Sequence, residues 1–298
     1  MTLIVPATNV PTVDISTIYD VKQLDANRYR GVRPLQKQTR EFRGVFGGNL
    51  VAQSVVVAMR SVPAGFHPNS VHAYYVRAVT DETPIEWEVE ETTTGRTFAN
   101  RLIRGLQNKK VVFTANISLT RKNSNAAVVK KTGHPSLQYQ RDTEPYYEQM
   151  RARPSKCKVL YMNANTHLTV RQFPEVRSRD VFSFLVRFGN DGRERIVGMT
   201  PEYQYAALAA LSDWVRLRFY FENMGVDVQT SFDVSLDHSI YFHDDGFDAT
   251  EYLVFSVKVS RISHSRVLYD GQIFNDRGVH VASIRQERLY VVNNKPKF

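Results

Sequence analysis

One carboxylate stands in an otherwise apolar, alanine-rich segment of the chain. Asp213 follows Ala206, Ala209 and Ala210 on a predicted helix, and these small side chains leave room for a ligand or a water molecule. Burying a carboxylate without partners costs free energy, so a buried Asp213 indicates satisfied hydrogen bonds or a functional role as a proton acceptor. The alternative is a solvent-facing Asp213 paired with Arg216, three residues on and on the same helix face.

Two further groups are candidates for chemistry. The glycine pair Gly47-Gly48 precedes an apolar helix, where backbone N–H groups can bind a carbonyl oxygen or a phosphate; tight packing between helix and strand explains the pair equally well. His72 is a second candidate catalytic group, although a core histidine bonded within a sheet is the favoured interpretation. His238 and His243 are five apart on a predicted strand, so they point to opposite faces and are not expected to chelate one metal.

Several familiar sites are missing from the sequence. It contains no GxSxG, GxGxxG, GxxxxGK[ST] or HExxH motif, which argues against an α/β-hydrolase elbow, a Rossmann site, a P-loop and a zinc protease. The single cysteine, Cys157, excludes a disulfide framework, a CxxC zinc site and an iron–sulfur cluster. We therefore expect neither a cofactor nor a metal.

The composition bounds the class of protein. At 298 residues the chain is expected to form two domains or one large one, and 42% hydrophobic with 23% charged residues is ordinary for a globular protein. No apolar run is long enough to span a bilayer, and the N-terminus lacks a basic region, so neither membrane insertion nor a secretory signal is expected. The net charge of +9 favours an anionic partner, but the basic residues are dispersed and no nucleic-acid motif occurs.

An internal repeat organises the chain. Residues 84–90 and 251–260 both alternate between apolar and polar side chains, which predicts two half-buried strands about 168 residues apart. A strand precedes each of them, at 70–76 and at 236–242, and an apolar strand follows a turn in each copy.

A helix precedes the strands of each copy. Residues 49–62 are apolar at helical spacing and end at Pro63, while 203–224 are rich in Ala and Leu and end at Gly225. This order predicts an α+β fold in which an antiparallel sheet wraps around a central helix, twice. The predicted division is 15–121, a linker at 122–175 with local helix around 144–153, and 176–294.

Five segments resemble, in order, the acyl-CoA thioesterase II family of thioester hydrolases. The block SLDHSIYFH at 235–243 is the longest, and chance agreement over it is not expected. The resemblance extends over about residues 15–292 and is weaker across the linker. The five segments are 42–48 (FRGVFGG), 72–77 (HAYYVR), 211–213 (LSD), 235–243 and 281–287 (VASIRQE).

The resemblance implies a double hotdog, that is, two fused helix-in-sheet units. It places the family's catalytic acid, hydroxyl and amide on Asp213, Ser235 and Gln286. An acid, a hydroxyl and an amide can together hold one water at a thioester carbonyl, with the carboxylate as general base. Direct attack by water is favoured over an acyl-enzyme on Ser235, because no histidine is placed by motif as its base, and His238, three residues on, is expected to face the other side of the strand.

The sequence departs from the family in two loops, and one half lacks the acid–hydroxyl–amide set. The loop after Arg77 reads AVTD where many members have PGD, and the turn before Phe98 reads TGR, not the usual DG, which puts substrate identity in question.

The first-repeat positions that correspond to Ser235 and Gln286 are about Asn69 and Ser118, so only the C-terminal unit is expected to carry the chemistry. Candidates for contact with the CoA phosphates are Arg96, Arg101, Arg104, Lys109 and Lys110.

The resemblance therefore implies hydrolysis of an acyl-CoA, of the fatty acyl class, to free acid and CoA. The alternatives are a pathway-specific thioesterase of secondary metabolism, a non-catalytic acyl-CoA-binding hotdog protein, and a basic nucleic-acid binder. Association into a homo-oligomer is possible for such units. The C-terminal Pro296-Lys297-Phe298 resembles an atypical peroxisomal address, so peroxisomal location is expected, and otherwise a cytoplasmic one.

Overall fold

The computed structural model describes residues 10–121, 139–174, 181–226 and 230–292. Within these ranges one long antiparallel sheet runs through both halves of the chain, in the order β2-β3-β5-β6-β7-β4-β13-β16-β15-β14-β10-β9-β8, and β12 adds to β16. The first-half strands are β2 (Val21–Gln23), β3 (Arg28–Gly31), β4 (His67–Tyr75), β5 (Glu86–Thr94), β6 (Phe98–Gln107) and β7 (Lys110–Thr120). The second-half strands are β8 (Lys158–Asn163), β9 (Leu168–Gln172), β10 (Val181–Phe188), β12 (Thr230–Ser235), β13 (Asp237–Phe242), β14 (Leu253–Ser263), β15 (Arg266–Phe274) and β16 (His280–Val292).

The remaining elements are short, apart from two central helices. A small parallel pair joins β1 (Thr12–Asp14) to β11 (Arg195–Val197). The helices are α1 (Ser16–Tyr19), α2 (Gly47–Arg60), α3 (Pro145–Arg151), α4 (Pro201–Ser212) and α5 (Leu217–Asn223), with a single 3-10 turn at Pro154–Lys156.

The strand order reflects the repeat. In each half, five strands follow the same order, β3-β5-β6-β7-β4 and β10-β14-β15-β16-β13, and the two halves meet where β4 pairs antiparallel with β13. The alternation predicted at 84–90 is confirmed, since Ile85 and Trp87 are buried while the glutamates lie on the other face. The predicted arrangement of a helix wrapped by an antiparallel sheet, twice, is likewise confirmed.

The two central helices are buried on almost all sides and pack against each other. Residues 48–58 of α2 are all buried, and so are 205–212 of α4. A helix that is apolar around its whole circumference belongs in a core, where each buried Val or Leu stabilises the fold by roughly 1.5–3 kcal/mol. The backbones approach closely because Gly48 has no side chain: a Cβ there would lie 2.6 Å from the carbonyl oxygen of Ala210.

The second helix is shorter than predicted. A single helix at 203–224 was expected, but α4 ends at Ser212 and α5 begins only at Leu217. Within the break, the ring of Trp214 packs against Phe184 with centroids 5.2 Å apart. An apolar residue that anchors a turn has the same sequence pattern as one inside a helix, so periodicity does not reveal the break.

The segment 122–175 contains more regular structure than a linker. The predicted local helix is present as α3, and β8 and β9 pair with each other and then with β10, which extends the sheet of the second half. The division of the chain at 121 and 175 stays a prediction.

Candidate active site

Asp213 lies directly after α4, where the chain leaves the helix. Its backbone retains helical angles (φ −86°, ψ −4°) and its side chain is only 3% exposed. The surface pair with Arg216 does not form. Instead, the Arg216 guanidinium donates to Gln38 Oε1 at 2.6 Å and lies over the ring of Tyr161. Asp213 is therefore a buried carboxylate whose partners come from other parts of the fold.

The structure brings Ser235 and Gln286 to this carboxylate. Ser235 Oγ donates to Asp213 Oδ1 at 3.1 Å, and Gln286 Nε2 donates to the same oxygen at 2.5 Å. The three residues are far apart in sequence, at the end of α4, at the end of β12 and inside β16. The three candidates form one hydrogen-bonded group, and both bonds fall on one carboxylate oxygen.

Tyr269, which orients the amide of Gln286, is not among the residues predicted from the sequence. Gln286 is fully buried, and the hydroxyl of Tyr269, its neighbour across the β15–β16 ladder, donates to Gln286 Oε1. Because Oε1 accepts from Tyr269, the Nε2 end is turned to Asp213. The available signal was a tyrosine on the apolar, inward face of a strand, where a hydroxyl needs a partner.

A bulge between β12 and β13 corrects the expectation for His238. Ser235 pairs with Arg288 but Ser239 pairs with Arg285, so four steps on one strand match three on the other. The extra residue reverses the alternation. His238 therefore points inward, on the same side as Ser235, and is fully buried.

His238 is unlike a catalytic base in charge and in contacts. Burial, opposed only in part by the charge of Asp213, lowers the pKa of His238 to about 4, so the ring is neutral at neutral pH. Its Nε2 lies 2.8 Å from the hydroxyl of Ser212, the last residue of α4. This contact joins the helix end that carries Asp213 to the strand after the bulge.

The other carboxylate oxygen, Asp213 Oδ2, faces the start of the first central helix. A Cβ on Gly47 would lie 2.8 Å from Asp213 Oδ2, and 2.9 Å and 3.1 Å from Cε1 and Cζ of Tyr75. A carboxylate oxygen, a tyrosine ring and the N-terminus of α2 therefore come together at Gly47, where a residue without a side chain is needed. The predicted glycine pair divides its roles, since Gly48 permits helix packing and Gly47 faces the site.

A buried ion pair adds charge near the site. Arg288, two residues beyond Gln286 on the same inward face, donates from Nε to Asp233 Oδ1 at 2.9 Å. Burial opposes the charge of Arg288, but Asp233 and then Tyr269 and Asp213 outweigh it, and the pKa of the guanidinium is held above its usual range.

Two other sequence expectations need correction. His72 is neither a core residue nor a site residue: it lies exposed on the outer face of β4, with Nδ1 3.0 Å from Ser239 Oγ. Ser118 is not the counterpart of Gln286, because it lies between the fully buried Ile117 and Leu119 and so faces outward. The first half has its own register shift between Pro68 and Ser70, which makes Pro68, not Asn69, the residue before the bulge. The inward positions that correspond to Ser235 and Gln286 are therefore apolar.

The five candidates for contact with the CoA phosphates differ in how exposed they are and in whether they already have partners. Arg101 is 1% exposed, and its guanidinium donates to carbonyl oxygens, including Ser61 O at the end of α2, so its role is structural. Arg104 contacts Glu88 at 3.3 Å. The other three candidates, Arg96, Lys109 and Lys110, lie exposed at the surface.

Within the described ranges, no group of three or more His, Cys, Asp or Glu side chains is arranged to hold a metal ion. No helix in that part of the chain has the length and apolar character to cross a membrane. The C-terminal residues 296–298 lie outside the described residues.

Two family models match the chain, one in each half. Residues 37–120 match the acyl-CoA thioesterase N-terminal domain, and residues 193–289 match the acyl-CoA thioesterase model. The second match includes all three residues of the Asp213 group, whereas the first includes Gly47 and Tyr75.

Relatives and solved structures extend the similarity over most of the chain. Acyl-coenzyme A thioesterase 8 of Homo sapiens is 26% identical over 98% of this chain and 92% of its own length. Acyl-CoA thioesterase 2 of Haemophilus influenzae is 26% identical over 90% and 94%, and peroxisomal acyl-coenzyme A thioester hydrolase 1 of Saccharomyces cerevisiae 26% over 85% and 87%.

Among crystal structures, the acyl-CoA thioesterase II TesB2 of Mycobacterium marinum superposes with a TM-score of 0.69 at 24% identity, covering 94% of this chain and 99% of that one. A hot dog protein from Alicyclobacillus acidocaldarius superposes with a TM-score of 0.65 at 18% identity, covering 94% and 98%. These likenesses confirm the predicted double hotdog fold. With both halves matched in order by the family models, the chain belongs to the acyl-CoA thioesterase II family.

Proposed function

We propose that this protein hydrolyses acyl-CoA thioesters to free acid and CoA, with Asp213 activating the attacking water. The observation that carries the proposal is that the two oxygens of one buried carboxylate have different surroundings. Oδ1 accepts from Ser235 and Gln286, while Oδ2 lies beside Gly47 at the start of α2, and we place the reacting water and thioester in the space next to it. A carboxylate held by two donors on one side is pre-organised to accept a proton on the other.

The reaction needs one water and one thioester in that space. Water attacks the carbonyl carbon while Asp213 Oδ2 takes its proton, and the carbonyl oxygen becomes an oxyanion. When the tetrahedral intermediate collapses, the carbon–sulfur bond breaks and the CoA thiolate takes up the proton from Asp213. Ser235 Oγ donates to Asp213 and retains lone pairs that can accept a hydrogen bond from the water.

The start of α2 supplies donors for the oxyanion. Its N-cap residue, Phe46, makes no side-chain cap, so the backbone N–H groups of Gly47 and Gly48 are not capped by it. Such N–H groups and the helix dipole favour negative charge at this end of a 14-residue helix. The acid from the second half and the helix start from the first half thus face each other across the junction of the units.

Direct attack by water is favoured over an acyl-enzyme on Ser235. The imidazole nearest to Ser235, that of His238, is neutral, buried and bonded to Ser212, so it is not set to accept the serine proton. These contacts support water as the nucleophile, although the predicted direction of His238 was wrong.

The experiment is thiol release from a panel of saturated and branched acyl-CoAs of increasing chain length, with the wild-type protein. Turnover that rises to an optimum within the panel supports the proposal and gives the chain preference. Turnover confined to one unusual acyl group favours a pathway-specific thioesterase. Binding of acyl-CoA without turnover favours a binding protein, and salt-sensitive binding to DNA without either favours the nucleic-acid alternative.

We also propose that the protein acts in the peroxisome. The supporting observations are the tripeptide Pro296-Lys297-Phe298 and the printed name of the yeast relative, a peroxisomal hydrolase. A fluorescent protein fused ahead of the full chain is expected to enter peroxisomes, and the same fusion lacking residues 296–298 is expected to stay in the cytoplasm. Identical distributions of the two fusions would contradict the proposal.

A further inference from the structure

The hydroxyl of Tyr75 is buried at the site and has no part in the water attack proposed for Asp213. The Tyr75 Oη atom is enclosed and makes no hydrogen bond of regular geometry with any residue that the structure describes. Burial first, then the charges of Asp213 and Tyr269, and last a hydrogen-bonding contact with the Asp213 side chain, raise the pKa of this hydroxyl well above its usual value. Tyr75 is therefore a neutral phenol at physiological pH and keeps a proton to donate.

Tyr75 is held firmly in its position. It ends β4, and its backbone N–H donates to the carbonyl oxygen of Leu236, the bulge residue next to Ser235, at 3.0 Å. Its ring packs edge-on against Phe113 with centroids 5.6 Å apart. Cζ, the ring carbon that carries the hydroxyl, and Asp213 Oδ2 both lie about 3 Å from the point where a Cβ on Gly47 would stand. The position of the phenol ring beside Asp213 is thus set by the fold.

An unpaired buried hydroxyl costs free energy, and a phenylalanine at this position would avoid the cost. A buried hydroxyl that lies beside the proposed catalytic carboxylate and makes no regular hydrogen bond in the free protein can donate to an acceptor formed during the reaction. The acceptor in thioester hydrolysis is the carbonyl oxygen, which gains negative charge as water attacks.

We infer that Tyr75 is a catalytic residue that donates a hydrogen bond from its hydroxyl to the oxyanion of the tetrahedral intermediate. This inference rests on the proposed function. As the water oxygen bonds to carbon, the electron pair of the carbonyl π bond moves to oxygen, and Asp213 Oδ2 takes the water proton. Tyr75 keeps its own proton throughout and adds a side-chain donor to the backbone donors of α2. When the electron pair returns, the carbon–sulfur bond breaks and the thiolate takes the proton from Asp213.

The test compares Tyr75→Phe with the wild type on the acyl-CoA that the wild type hydrolyses fastest. Loss of one oxyanion donor is expected to lower kcat by about 100-fold with little change in KM. The midpoint of thermal unfolding of the ligand-free protein is expected to change little, because the contact of the hydroxyl with Asp213 is not a hydrogen bond of regular geometry. Tyr29→Phe is the matched control: it removes a buried hydroxyl that does bond, to Arg60 O at 3.3 Å, away from the site. The control is expected to lose stability and keep kcat.

Each outcome separates the inference from the function on which it rests. Wild-type turnover that Asp213→Asn abolishes, together with an unchanged kcat in Tyr75→Phe, would overturn the role of Tyr75 alone. A lower kcat accompanied by a shifted acidic limb of the pH profile would also overturn it, because Tyr75 would then act through the charge of Asp213. Absence of turnover in the wild type would instead remove the proposed function.

Discussion

The side-chain amide of Gln286 donates to Asp213 Oδ1 across 2.5 Å, and its other end accepts from the Tyr269 hydroxyl. An amide can turn by 180° unless its partners differ in kind, and here they do, since a carboxylate only accepts and this tyrosine donates. These two hydrogen bonds together fix which end of the Gln286 amide meets the carboxylate of Asp213. They also make Tyr269, which does not touch Asp213, a positioning residue for the site.

Tyr269→Phe is therefore expected to lower kcat by about tenfold and to destabilise the fold by about 1–3 kcal/mol, because Gln286 Oε1 is left buried without its donor. Steady-state kinetics and thermal unfolding measure the two effects. Tyr252→Phe is the control: it removes a buried hydroxyl bonded to Asp191 at 2.8 Å, outside the site. Equal kcat in the two variants would show that the hydrogen bond from Tyr269 does not position the Gln286 amide.

Alanine substitutions at the adjacent Gly47 and Gly48 are expected to have different effects. Gly48→Ala places a Cβ 2.6 Å from a backbone oxygen of α4, which cannot move without separating the helices, so unfolding at lower temperature is expected. Gly47→Ala instead meets the side chains of Asp213 and Tyr75, so the displacement falls on the site and not on the contact between the two helices. It is expected to keep a near-normal melting temperature and to lose kcat. Activity retained in a well-folded Gly47→Ala protein would contradict the placement of the reaction space.

Ser235→Ala separates the two nucleophiles. If water attacks, the variant loses one donor to Asp213 and its kcat is expected to fall by roughly 10- to 100-fold, with measurable turnover left. No acyl group is expected on the wild-type protein when the reaction is quenched with acid during turnover. Mass spectrometry of the intact chain is the measurement, and an acyl adduct on Ser235 would contradict direct attack.

His238 predicts a pH dependence of stability. Its folded pKa is about 4, below the value of about 6.5 in the unfolded chain, so between these values only the unfolded state binds the proton. The contribution of His238 is complete above pH 6.5 and is lost as the pH falls towards 4, with a total on the order of 3 kcal/mol. Denaturant unfolding at steps between pH 7 and pH 4 measures the slope.

His280 has a folded pKa of about 4 as well, lowered by burial and by His243, and it adds to the same slope. His238→Gln, which cannot titrate, isolates the part that belongs to His238. A slope as steep in that variant as in the wild type would contradict the assignment.

The fold could be predicted because its signals are periodic. Alternation of Ile85, Trp87 and Val89 places β5 with its correct face, and the apolar run after Gly48 places α2 to within two residues. Single-residue irregularities have no such signal. One additional residue at the bulge turns His238 inward, and Trp214, which follows the end of α4, has a side chain that also suits a helix.

The site could be predicted only in part for the same reason. Asp213, Ser235 and Gln286 were expected from family resemblance, and they lie together. Tyr75 and Tyr269 were not expected, because an inward tyrosine on a strand is identified as core unless the partner of its hydroxyl is known. The cross-strand register that supplies those partners is a tertiary property.

The most direct test of the account is the kcat of Asp213→Asn for acyl-CoA hydrolysis. The amide has the shape of the carboxylate but cannot accept the proton from water, so a fall between about 10²- and 10⁴-fold is expected, with an unchanged melting temperature. Asp276→Asn, at an exposed turn away from the site, is the matched control and should keep full activity. A folded Asp213→Asn protein that turns over acyl-CoA at the wild-type rate would contradict the account, because the base would then lie elsewhere.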